Sequence, residues 1–136
     1  MRIVVIDGQG GGIGKAVCQE LKRRHPDTPI IAAGTNALAT AAMLKAGADQ
    51  GATGENAVKV CARDADIILG PMGIVLADAM LGEITLDMAA AVAQSRAHKI
   101  LIPVKRCQVT VAGMQDLPMT NYVELAVDEA EQIIKK

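Results

Sequence analysis

The opening segment, MRIVVIDGQGGGIGKAV, constrains the fold more than any other stretch of the chain. Its first run, Arg2–Ile6, is apolar without polar alternation, the pattern of a strand covered on both faces in a parallel sheet. The run feeds directly into glycines at positions 8, 10, 11, 12 and 14. Helical spacing of Ala16, Val17, Cys18 and Leu21 follows. A buried strand that turns through glycines into a helix is the first half of a strand–helix–strand crossover.

The same pattern continues along the 136 residues. Further apolar runs lie at Pro29–Ala33, weakly at Ala48–Ala52, at Asp66–Leu69 and at Lys99–Val104. The segments between them predict helices over Gly14–Arg24, Asn36–Ala46, Gly54–Arg63 and Thr85–Ala97, with Asn36 and Thr85 as N-caps and Gly47 as a C-terminal stop. Strands alternating with helices make a parallel α/β sheet, and right-handed crossovers favour the strand order 3-2-1-4-5. One Rossmann-like three-layer domain over residues 1–136 is the expectation. Cys107–Val111 (CQVTV) reads as a sixth strand. It follows the fifth too closely for a parallel crossover, so antiparallel pairing is expected. A last helix over about Thr120–Ile134 carries Val123, Ala126, Val127, Ala130 and Ile134 on one face.

Composition excludes several classes of partner. With no Phe, no Trp and one Tyr, the core must be built from aliphatic residues, and the aromatic platforms that stack single-stranded nucleic acid are missing. Fourteen basic against 15 acidic residues leave no basic footprint, so no nucleic-acid partner is expected. No apolar run has the length of a membrane span and the start lacks the pattern of a signal peptide, which predicts a cytoplasmic protein without membrane contact. Cys18, Cys61 and Cys107 stand far apart, with neither zinc-ligand spacing nor a disulfide framework, and no metal site is expected.

The two rims of such a sheet differ in chemistry. Turns entering the strands are charged (RRHPDTP, RDAD, SRAHK). Turns leaving them are glycine-rich and nearly uncharged (DGQGGG, GTN, GATGEN, GPMG). Any one of these loops is explained by tight turning. Four together on the carboxyl rim, where open α/β sheets bind ligands, mark a site. Its candidate residues are Gly8, Gln9, Gly10, Gly11, Gly12, Ile13 and Gly14 of the first loop, Thr35 and Asn36 of the second, and Gly70, Pro71 and Gly73 of the fourth.

Known glycine-loop designs can be tested against the first loop. The triphosphate P-loop requires a glycine where Gln9 stands and a hydroxyl after Lys15 where Ala16 stands, so ATP hydrolysis is not expected. In the dinucleotide pattern G-x-G-x-x-G, Gly8 and Gly10 match but the third glycine falls on Ile13. The spacing Gly8-x-x-x-Gly12-Ile13-Gly14 instead resembles the loop of the short-chain dehydrogenase/reductase family. That resemblance implies a pyrophosphate held by backbone N–H groups at a helix N-terminus. The family's catalytic Y-x-x-x-K pattern is absent, because Tyr122, the single tyrosine, is followed four residues later by Ala126. Its dehydrogenase chemistry is therefore excluded.

Dinucleotide sites also use an acid after the second strand to hold the ribose. Here that place reads Gly34-Thr35-Asn36. Thr35 and Asn36 could bond a ribose or tolerate a 2′-phosphate, or Asn36 could simply cap its helix. NADP is allowed as cofactor and NAD is weakened. Lys15 could add charge at the phosphates or lie in solvent.

Across nearly its whole length the chain also resembles a family of short bacterial proteins known only as a domain of unknown function. IDGQGGGIGKA, GTNALAT, GATGEN, LGEIT and ILIPV followed by RC carry the likeness. It implies a Rossmann-like fold and no particular activity.

Other reactive groups have competing explanations. Asp7 could orient a ribose or hold the turn by bonding loop N–H groups. Arg106 and Cys107 could form an activated thiolate pair, or the cysteine could be inert. His25 and His98 fall on the charged rim. Asp78 and Glu83 are the acids of an apolar segment and could act as acid/base groups or accept from substrate hydroxyls. No partner at informative spacing supports catalysis, and no catalytic residue is assigned. The leading reading is a nucleotide- or dinucleotide-binding module. The alternatives are a small reductase or sugar-nucleotide enzyme with a site completed by a second subunit, and an interaction protein with a structural glycine loop. The apolar segment Met72–Leu81 predicts a homodimer, unless it is buried within one chain.

Overall fold

The computed structural model describes residues 1–105 and 108–136. Its strands are β1 (Ile3–Asp7), β2 (Ile30–Gly34), β3 (Gln50–Thr53), β4 (Ile67–Pro71) and β5 (His98–Ile102). Its helices are α1 (Gly12–Arg24), α2 (Ala37–Lys45), α3 (Glu55–Asp64), α4 (Leu86–Gln94) and α5 (Met119–Ile134). The strands form one parallel sheet in the order β3-β2-β1-β4-β5. This is the Rossmann-like three-layer arrangement that the alternation of elements predicts.

Period-2 alternation of side chains divides the core between the two faces of the sheet. Ile3 and Val5 of β1, with Ile67 and Leu69 of β4, meet Val17, Cys18 and Leu21 of α1 and Val123, Val127 and Ala130 of α5. Val4, Ile6 and Ile68 point the other way, onto Val58 and Ala62 of α3 and Met88 and Val92 of α4. The central strands β1 and β4 are buried along their whole length, which is why their sequences lack polar alternation. Helix starts follow local chemistry. The Ala39 N–H donates to Asn36 Oδ1 (2.9 Å) at the start of α2, and the Met88 N–H to Thr85 Oγ1 (3.1 Å) at the start of α4.

The expected sixth strand is a correction. Among the described residues the sheet has five strands, and Gln108–Val111 lies outside it. Cys107 lies outside the described residues, as does Arg106. Val109 and Val111 gave the segment its alternating look, yet both are exposed and have no buried face to occupy. No helix among the described residues is long and apolar enough to cross a membrane.

Candidate functional site

In this strand order the chain leaves β1 towards one edge of the sheet and β4 towards the other. The carboxyl ends of β1 and β4 therefore diverge at a topological switch point, and a crevice opens there. The structure has a cleft of about 810 Å³ at this place, within the range of small-molecule sites. The glycine loop after β1 forms one wall. The segment after β4, called here the strap (residues 72–85), forms the other, and Val104, Gln108 and Met119 close the side.

Of the candidate residues, Gly8, Gln9, Gly10, Gly11, Gly12, Ile13, Pro71 and Gly73 line this cleft together. Gly14, Thr35, Asn36 and Gly70 do not line it. Packing explains why several of these positions are glycine. A Cβ on Gly8 would lie 2.6 Å from Thr35 Oγ1 and 2.7 Å from Met80 Sδ. One on Gly14 would lie 2.6 Å from Met43 Sδ and 2.8 Å from Asp7 Cβ. Gly11 caps α1 in the left-handed region (φ 73°), and a Cβ there would lie 2.8 Å from Ala39 Cα. Gly10 and Gly12 are different. A Cβ on either meets no heavy atom of the surrounding structure within 4 Å. Both are exposed and belong to the lining of the cleft, so packing does not require glycine at either place.

Asp7 closes the base of the glycine loop. Its carboxylate is buried and accepts from the Gly8 N–H (2.8 Å) and the Gly14 N–H (2.7 Å), capping the first turn of α1 from the end of β1. Burial pushes its pKa up, against the downward pull of the bonds from Gly14 and Gly8. The residue holds the turn. None of the described lining residues is Lys, Arg or His. Among the described residues, an anion in the cleft would be met by backbone N–H groups and the α1 dipole rather than by cationic side chains. Lys15 is exposed and outside the lining.

The strap is the part that sequence reasoning resolved least. It begins as a 3-10 turn over Met72–Val75 and is anchored by the buried Ile74 and Ile84. Between these anchors it bonds to itself, Asp78 N–H to Ile84 O (2.7 Å) and Ile84 N–H to Ala79 O (3.1 Å). Asp78, Met80 and Leu81 have φ of 67°, 59° and 55°. With Gln9 (48°) and Gln108 (53°), they are the non-glycine residues at positive φ among the described residues, and all five line the cleft. Each such residue costs about 1–2 kcal/mol against the right-handed conformation. Strain of this kind concentrates at ligand sites because surrounding structure must be arranged to hold it.

Glu83, noted in the sequence for its setting in an apolar segment, is the hub between strap and loops. Its Oε1 accepts from the Thr35 hydroxyl (2.6 Å), the Asn36 amide Nδ2 (2.8 Å) and the Gln9 N–H (2.8 Å). The Thr35 hydroxyl, with the Gln9 and Asn36 donors, holds Glu83 below the ordinary carboxylate range. Elsewhere, Cys18 is buried in the core and its thiol is pushed up to about 12 by burial, so it is inert as a nucleophile. His25 bonds Glu131 of α5 (3.0 Å) and His98 begins β5. Neither lines the cleft. The Tyr122 ring packs on the core, and its hydroxyl donates to the Gln115 carbonyl.

The chain belongs to the family described as Domain of unknown function (DUF3842), which matches residues 2–135. No curated protein matches it. Among solved structures it is similar to one titled a dodecameric FMN-dependent Ubix-like decarboxylase from Escherichia coli O157:H7. That similarity has 17% identity and a TM-score of 0.47, and covers 96% of this chain and 77% of the other. These matches give no support to the likeness between Gly8–Gly14 and the short-chain dehydrogenase/reductase loop.

Proposed function

We propose that this family member binds a nucleotide-type small molecule in the cleft between the β1 loop and the strap. The phosphate groups lie against Gly10–Gly12 at the start of α1, and the less polar part of the ligand lies against Met80, Leu76 and Ala79 of the strap. The observation that carries this reading is the pair Gly10 and Gly12. Packing explains the other glycines of the loop, whereas no neighbouring atom requires glycine at these two places in the lining. Within this class the specific candidate is a dinucleotide of the NADP or NAD type. The protein acts as a binding module in this reading, because the described residues of the cleft bring together no base–nucleophile pair.

The experiment is thermal melting with NAD, NADP, ATP, FAD and a nucleotide-sugar. A ligand at 100 times its dissociation constant raises stability by about 2.7 kcal/mol, a shift of several degrees for a domain of this size. At least one of the five is expected to move the midpoint. No movement with any of them at millimolar concentration would reject the reading.

Self-association is a second proposal and rests on the lip of the cleft. Leu81 is fully exposed (100%) and Met119 is exposed, and both line the cleft, while the exposed Val109 and Val111 follow the lining residue Gln108. A second copy would cover these side chains and could complete a site for catalysis. Sedimentation is expected to show a dimer, and a monomer at high protein concentration would contradict it.

A further inference from the structure

The fold separates charge between its two outer layers. α5 carries Glu124, Asp128, Glu129 and Glu131 and no basic residue. Its inner face, Val123, Ala126, Val127 and Ala130, is buried on the sheet. Glu124, Asp128 and Glu129 share the outer face with Leu125, which is left 49% exposed. α1 neutralises part of this charge: Arg24 Nη1 holds Asp128 (2.6 Å) and His25 Nε2 bonds Glu131 (3.0 Å). Glu124 and Glu129 make no side-chain hydrogen bond or ion pair among the described residues.

The other face of the sheet carries the opposite sign. α3 and α4 pack side by side there, and a groove of about 600 Å³ lies between them. Lys59, Val60 and Arg63 of α3 line it, with Ala91 and Gln94 of α4 and Arg96 just beyond its end. No described residue of the lining is an acid. Arg63 Nε lies 3.4 Å from Asp64, the next residue in the chain. Lys59 and Arg96 make no side-chain hydrogen bond or ion pair among the described residues. A helix end attracts cations, which accounts in part for Arg63 and Arg96, but Lys59 stands in the middle of α3. Beside these charges Val60 is left 37% exposed.

The two surfaces match in pattern as well as in sign. Lys59-Val60-Arg63 places cation, apolar residue and cation at i, i+1 and i+4 of α3. Glu124-Leu125-Asp128 places acid, apolar residue and acid at the same spacing on α5. Residues at i and i+4 are neighbours on a helix surface, so each set forms one patch. Arg96 and Glu129 add one further charge to either side. α5 cannot reach the groove of its own chain, because the sheet lies between them.

We infer that the α3–α4 groove takes α5 of a second copy of this chain, with Leu125 against Val60 and the α5 acids against Lys59, Arg63 and Arg96. The two surfaces differ, so the contact is head-to-tail and repeats from copy to copy, unlike a paired contact at the lip of the cleft. It is independent of the nucleotide reading. Charges at the rim give such a contact its specificity and on-rate and make it sensitive to salt.

Sedimentation of the full chain across a salt series, with two charge-reversed variants, tests it. Lys59→Glu with Arg63→Glu reverses the groove, and Glu124→Lys with Glu129→Lys reverses the helix. All four side chains lie at or near the surface and outside the cleft lining, and melting midpoints check that each variant folds. Wild type is expected to form species larger than a dimer at low salt. The concentration needed for half-assembly should rise at least about tenfold in about 0.5 M salt. Each variant alone is expected to lose assembly by at least about tenfold at low salt. An equimolar mixture of the two is expected to recover it, because each reversed surface then meets its complement and each native surface keeps one. Wild type that stays no larger than a dimer at high concentration and low salt overturns the inference and leaves the groove to an acidic segment of another protein. Salt-insensitive assembly of wild type overturns it without any variant. Assembly retained by both variants, or lost in both without recovery on mixing, also overturns it, because these two faces then do not meet.

Discussion

Gly12→Val is expected to weaken nucleotide binding by about a hundredfold or more, equivalent to about 2.7 kcal/mol, while leaving the unliganded protein as stable as wild type. Gly12 is the first residue of α1 and is exposed on the cleft wall. Its Cβ meets no heavy atom of the surrounding structure within 4 Å, so the fold can accept the side chain without rearrangement. Exposed substitutions of this kind stay within about 0.5 kcal/mol, and valine is no worse than glycine in a helix. The isopropyl group would instead stand where a phosphate must approach the first N–H groups of the helix. Binding and stability measured on the same preparation separate the two effects. Loss of stability without loss of affinity would mean that the position serves packing.

Gly70→Ala should show the opposite behaviour, with a stability loss of about 3 kcal/mol or more. Alanine ordinarily gains over glycine within a strand, because glycine loses more conformational freedom on folding. At Gly70 the added Cβ would lie 2.3 Å from the Ile6 carbonyl oxygen and 3.0 Å from Ile74 Cδ1. The first contact is with the backbone of the neighbouring central strand, so no side-chain rotation relieves it. β1 and β4 would have to separate just beyond their pairing of Val5 with Leu69. Overpacking costs about 1–3 kcal/mol where side chains can adjust, and a rigid backbone partner places this case at the upper end or above. Against a total stability of about 5–15 kcal/mol, denaturant unfolding would register it clearly. A loss below about 1 kcal/mol would show that the close approach of the two strands is not a constraint.

These two glycines also show what the sequence reveals and what it hides. Both stand in glycine-rich stretches of the sequence, GQGGG and GPMG, and nothing local distinguishes them. The difference comes from tertiary neighbours: Ile6 across the sheet for Gly70, and open space for Gly12. By contrast, β1 and β4 were legible because burial on both faces imposes unbroken aliphatic runs. Asn36 and Thr85 were legible because helix capping is a local interaction. The strap was not. Asp78, Met80 and Leu81 carry no compositional sign of left-handed backbone, and their conformation is held by bonds between the strap's own main-chain groups and by the anchors Ile74 and Ile84. Glu83 was visible as an acid in an apolar segment. Its three donors lie 47 to 74 residues away, and no spacing rule reaches that far. The alternation in Cys107–Val111 misled for the converse reason: it resembles a strand with one buried face, and the fold provides no such face for Val109 and Val111.

The central claim is that a nucleotide phosphate lies on Gly10–Gly12 at the mouth of the β1–β4 crevice. Backbone amide NMR of isotopically labelled protein, titrated with the nucleotide that gives the largest melting shift, tests it most directly. The account predicts that the largest amide shifts fall on Gly10, Gly11, Gly12 and Ile13, with a second group on the strap from Leu76 to Leu81. Shifts confined to the charged opposite rim, around His25 and His98, with the glycine-loop amides unmoved at saturation, would contradict it.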